Sequence, residues 1–152
     1  MKVLFVENDD DHFKETENAL RRFIPSIQIQ RVRTERAFQN WLSTAEVQSG
    51  EASIRAIILD WRLPWDDSPA TQLPPGGVRG GIDYAGYRCL RLLEASPLSE
   101  LLVIVYTALT PEDLEPELQG LVRKPSILEK GSARDLAKML GALSQAATAS
   151  SC

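Results

Sequence analysis

At 152 residues, 43% apolar and 25% charged, the chain has the length and composition of one soluble globular domain with a single core. No apolar run reaches the roughly eighteen residues of a membrane span, and the opening run Val3 to Val6 passes straight into acids rather than a signal-peptide cleavage site, which points to the cytoplasm. A net charge of −4 with scattered Lys and Arg excludes the basic stripe of a direct nucleic-acid binder, and a single histidine, His12, with only Cys89 and Cys152 excludes a His/Cys metal cluster or a histidine triad within one chain.

Val3 to Val6 reads as a buried strand that ends on the acidic run Glu7-Asn8-Asp9-Asp10-Asp11. Asp9 to Asp11 supply cap-type residues for a helix through Phe13, Leu20 and Phe23-Ile24, which Pro25 stops. Ile27, Ile29 and Val32 alternate with polar residues as an edge strand does, and Thr34 caps a helix carrying Ala37, Phe38, Trp41, Leu42 and Ala45 up to Gly50. Ala56 to Leu59 is the next buried strand and ends on Asp60; Pro64 then bars helix, and residues 65–81 are rich enough in Pro and Gly to read as a long loop. Helical spacing returns from Ile82 to Leu93, and Leu101 to Val105 is the most apolar strand. Thr110-Pro111-Glu112 open a short helix interrupted by Pro116, and Ser126 to Leu128 form a fifth strand that ends at Lys130. Ser132 caps a last helix through Leu143, and residues 146–152 read as a disordered tail.

Five strands alternating with helices require an α/β domain, a doubly wound parallel sheet with right-handed crossovers and helices on both faces, spanning residues 1–145. In such sheets the site lies beyond the C-terminal strand ends, and those ends carry Glu7-Asn8-Asp9, Asp60, Thr107 and Lys130. The segments VLFVENDD, IILDWRLP, VIVYTA and ILEKGS resemble, in order, the signature blocks of CheY-like receiver domains of two-component response regulators.

The resemblance implies a flavodoxin-like sheet of order 2-1-3-4-5 and a stand-alone receiver in phosphorelay signalling, a switch rather than a metabolic enzyme. It implies that Asp60 accepts a phosphoryl group from a histidine kinase or phosphotransfer protein, with Thr107 and Lys130 binding the phosphoryl oxygens. Mg²⁺ would be held by Glu7, Asn8, Asp60 and the Arg62 backbone carbonyl, and output would pass to a downstream protein partner, with no nucleic acid or membrane bound. Lys124-Pro125 also mimics the family's Lys-Pro pair; the strand before Lys130 and the cap after it favour Lys130.

Several positions depart from the family pattern. Asn8 removes a formal charge where an aspartate is usual, which weakens the site for a hard cation unless Glu7 and Asp9 compensate. Arg62 places a cation two residues from Asp60, within reach of Glu7 or a phosphoryl group. The inserted loop 65–81 suits a lid or docking element, while Pro116 and Ile127 alter the usual output face. These departures keep a phosphorylation-independent pseudo-receiver, an interaction module, as the alternative; a phosphatase-like enzyme using Asp60 as nucleophile is a weaker third. His12 is expected to be solvated, Trp41 to lie in the core, and Trp61 and Trp65 to flank the site.

Overall fold

Val3 to Val6, Ala56 to Leu59 and Ile104 to Tyr106 are buried along their whole length, as central strands covered on both faces must be. The computed structural model describes residues 1–45, 54–68, 74 and 81–149. Its strands are β1 (Lys2–Val6), β2 (Gln28–Val32), β3 (Ala56–Leu59), β4 (Leu102–Thr107) and β5 (Ser126–Glu129). Its α-helices are α1 (Asp10–Phe23), α2 (Glu35–Ala45), α3 (Ala85–Glu94), α4 (Pro111–Leu118) and α5 (Ala133–Ala149), with a 3₁₀ turn at Gly81–Tyr84 before α3. All strand pairs are parallel and the order is β2-β1-β3-β4-β5, the predicted topology.

Because strand side chains alternate between faces, Leu4, Val6, Ile57, Leu59 and Val105 pack under α2, α3 and α4 through Phe38, Leu90 and Leu114. Val3, Phe5, Ile58, Ile104 and Tyr106 pack under α1 and α5 through Leu20, Leu136 and Leu140. Each fully buried Leu or Phe contributes about 1.5–3 kcal/mol, so β3 is a stable central strand although it is only four residues long.

The structure corrects three boundaries. Thr107 is the last residue of β4 rather than a residue beyond it. Pro116 lies inside α4, which runs on to Leu118, so it does not interrupt the helix. The last helix continues to Ala149, through part of the segment read as a tail, and alanine, the best helix former, accounts for that extension. Residues 150–152, most of loop 65–81 and the end of the second helix at Gly50 lie outside the described residues.

The loop leaving β3 is anchored at both described ends. Glu35 and Arg36, in the first turn of α2, donate their backbone N–H groups to the Pro64 and Trp65 carbonyls at 3.0 and 2.9 Å, while Thr34 Oγ1 caps the helix by accepting from Ala37 N at 3.1 Å. On α3, Gly86 N donates to Trp61 O at 2.8 Å, and a Cβ at Gly86 would lie 2.6 Å from Trp61 Cε3 and 2.9 Å from Trp61 Cα. Trp61 is 2% exposed and cannot swing away. Gly86→Ala is therefore expected to cost about 2 kcal/mol through overpacking, read as a drop in Tm of roughly 4–8 °C; an unchanged Tm contradicts this packing.

Candidate functional site

Three chain segments deliver the site to one edge of the sheet. At the end of β1, Glu7 N donates to Val32 O at 2.9 Å, and at the end of β3, Asp60 N donates to Val6 O at 2.9 Å, so both acids are held by ladder hydrogen bonds rather than by loops. After β5, Lys130 N donates to Thr107 O at 2.8 Å, and Gly131, at φ +96° where a side chain would be strained, turns the chain into α5. Tyr106 Oη accepts from Gly131 N at 2.9 Å and fixes that turn.

Lys130 Nζ lies 2.8 Å from Asp60 Oδ2 and 2.8 Å from Glu7 Oε2. The two carboxylates are buried, Glu7 at 1% and Asp60 at 6% exposure, and one ammonium serves both. Asp60 Oδ1 accepts from Trp61 N at 2.7 Å. Burial, and then Glu7, push the Asp60 carboxyl above the usual carboxylate range, against the opposing pull of Lys130 and the Trp61 N–H. Burial pulls the Lys130 ammonium down, but Asp60 and Glu7 together outweigh it and hold it above the ordinary lysine value. Thr107 is buried at the neighbouring strand end, with Oγ1 accepting weakly from Leu109 N at 3.4 Å. Lys124 is exposed and precedes β5, so the length of that strand separates it from Asp60, and of the two lysines it is Lys130 that contacts the acids.

Of the acidic run, only Glu7 joins Asp60 at Lys130. Asp9 caps α1 by accepting from His12 N at 2.8 Å, and Asp10 is held by Arg31 at 2.6 Å and Arg33 at 2.7 Å. Asn8 Nδ2 donates to Arg33 O at 3.3 Å, and Oδ1 is the side-chain atom that can take a cation. A sequence reading missed Arg31, which reaches from β2 to donate to Glu7 O at 3.0 Å and Asn8 O at 2.9 Å and so shapes the acidic loop. Its arginine among alternating residues of an edge strand carried no signal for that role.

Three other expectations change. His12 is not a solvated residue: its Nδ1 lies 2.9 Å from Glu7 Oε2, its side chain is 19% exposed, and its ring centroid is 5.5 Å from that of Tyr106. Arg62 pairs with Asp83 at 2.9 Å in an exposed contact rather than with Glu7, because its side chain follows the loop toward the 3₁₀ turn. Trp61 is a core residue under α3 rather than a rim of the site; Trp65 is half-buried, and Trp41, half-buried against the core, stacks on Phe38 at 5.9 Å.

The oxygen donors here are of the kind that suits a hard divalent cation. Two carboxylates converge where one ammonium already bridges them, although among the described residues no group of three His, Cys, Asp or Glu side chains forms a ready metal cage.

Neither a family model nor a curated protein matches the chain by sequence. Its structure is similar to a receiver domain of a signal-transduction histidine kinase from Syntrophus aciditrophicus, at 21% identity and a TM-score of 0.63 over 93% of this chain and 88% of that one. It is also similar to the phosphorylated cyanobacterial phytochrome response regulator RcpA, at 18% identity and 0.61 over 91% and 86%. A third neighbour is the BeF3-activated DrrB receiver domain of Thermotoga maritima, at 18% and 0.62 over 95% and 97%. The fold is that of a response-regulator receiver domain. In this receiver fold the buried acids and Lys130 occupy the C-terminal edge of the sheet, where open α/β sheets place their ligands. No helix among the described residues is long and apolar enough to cross a membrane.

Proposed function

We propose that the chain is a receiver switch that accepts a phosphoryl group on Asp60 from a histidine kinase or phosphotransfer protein and thereby changes its affinity for a downstream protein. The observation that carries this reading is the convergence of Asp60 and Glu7 on Lys130 Nζ, at 2.8 Å each, at the C-terminal edge of the sheet. In the transfer, an Asp60 oxygen forms the O–P bond as the N–P bond of the donor phosphohistidine breaks, and the bonding pair leaves on the imidazole nitrogen. Lys130 holds the acceptor and offsets charge on the phosphoryl oxygens, and the Thr107 hydroxyl stands at the adjacent strand end to donate to one of them. Glu7, Asp60, Asn8 Oδ1 and the Arg62 carbonyl are the oxygens that would hold Mg²⁺. What the bound ion supplies is further positive charge against the phosphoryl group.

Beryllofluoride with Mg²⁺ mimics the acyl phosphate and tests this reading. Wild type is expected to gain thermal stability with it and Asp60→Asn to gain none. Equal shifts, or none in either protein, count against it.

A phosphorylation-independent interaction module is the second reading. It is favoured by Asn8, whose amide is tied to Arg33 O and brings no charge to a site that Lys130 already part-neutralises. In that case beryllofluoride leaves Tm unchanged, and partner binding is indifferent to Asp60→Asn.

A further inference from the structure

Glu7 is held by more donors than a cation ligand needs. Oε1 accepts from Asp9 N at 2.9 Å, and Oε2 is approached by both Lys130 Nζ at 2.8 Å and His12 Nδ1 at 2.9 Å. With Glu7 as carboxylate, Nδ1 is the ring atom that carries the hydrogen, and three of roughly four lone-pair positions on the carboxylate are taken. The partners differ in what they are free to do. The Asp9 N–H is fixed by the loop, and Lys130 also belongs to Asp60.

His12 is set in place independently of Glu7. It sits in the first turn of α1, its backbone N–H caps onto Asp9 Oδ1 at 2.8 Å, and its ring rests on Tyr106. A carboxylate lone pair that accepts a hydrogen bond is not at the same time available to a cation. Here His12 takes Oε2, the Glu7 oxygen that Lys130 links to Asp60. Lys130 is committed to Asp60 as well, so a cation that takes Glu7 Oε2 does so in place of His12.

We propose that His12 is a positioning residue that reserves Glu7 as a counter-ion for Lys130 and so sets a low affinity of the Asp60 site for Mg²⁺. This rests on reading Glu7 and Asp60 as the cation ligands of a receiver switch. The chain then charges with Mg²⁺ only when the His12–Glu7 contact opens.

The test is Mg²⁺ binding by the full chain, measured by calorimetry and needing no phosphoryl transfer. His12→Phe keeps a ring against Tyr106 and removes the hydrogen bond; His12→Ala serves beside it, each checked by its melting curve. The expected result is Mg²⁺ affinity about tenfold tighter than wild type in the folded variants, a gain that disappears when Glu7→Gln is added. Unchanged or weaker affinity in both folded variants overturns the proposal, since it makes His12 an inert neighbour or a supporter of the ligand. Phosphoryl uptake of the same proteins, read separately by intact mass, keeps the two readings apart: if affinity tightens but neither protein takes up a phosphoryl group, the switch reading fails while the role of His12 stands. If uptake occurs with unchanged affinity, the role of His12 alone fails.

Discussion

Lys130→Met is expected to lower the unfolding free energy by about 3 kcal/mol, because removing one partner of a buried charge pair strands the other. Here it strands two, Glu7 and Asp60, both nearly inaccessible to water. Adding Asp60→Asn should restore most of that loss, since a single carboxylate then remains, still held by the Asp9 N–H and His12. Asp60→Asn alone is expected to stabilise by about 1 kcal/mol, in keeping with a carboxyl that burial and Glu7 push upward. The pH dependence follows the same pair. Lys130 is raised in the fold, so its contribution is complete below the ordinary lysine value, about 10.4, and is lost as pH rises through the folded value. Tyr106, raised by burial, loses stability in the same direction. Lys130→Met should therefore shrink the alkaline loss of stability without abolishing it. Denaturant unfolding across pH measures all of this, and a Lys130→Met protein as stable as wild type contradicts the geometry.

Arg88→Met is expected to cost about 3–5 kcal/mol. Arg88 Nε and Nη2 donate to Glu35 Oε1 and Oε2 at 2.7 Å each, a two-pronged contact to a carboxylate with no exposure at all. Arg88 Nη2 also donates to Gly81 O at 2.8 Å, while the Glu35 N–H holds Pro64 O, so this one ion pair pins both described ends of the loop after Asp60. Lysine cannot reproduce the fork, and Arg88→Lys should recover only part of the loss. Burial, then Glu35, push the neighbouring Cys89 thiol well up. Urea unfolding of Arg88→Met with and without Glu35→Gln reads the effect; a loss below about 1 kcal/mol, the scale of an exposed pair, would mean the contact does not persist in solution.

The parts of the fold legible in the sequence are those with local causes. Val3 to Val6 and Ala56 to Leu59 are continuous apolar runs because both faces of the sheet are covered, and Asp60 and Lys130 stand out because each follows such a strand. What stayed hidden depends on long-range geometry. Glu35 and Arg88 come from different helices 53 positions apart, and nothing near either residue marks its partner. His12 looks like any polar residue in a first helical turn until α1 is laid against β1, which swings it onto Glu7 and Tyr106. Arg62 lies near Asp60 in sequence, but the loop direction carries it to Asp83.

The central claim, that Asp60 is the phosphoryl acceptor, is tested most directly by intact mass after incubation with a small phosphoryl donor at high Mg²⁺, with Asp60→Asn in parallel. The account predicts one acid-labile phosphoryl group on wild type and none on the variant. No uptake by folded wild type at any Mg²⁺ concentration, or equal uptake by both proteins, would contradict it.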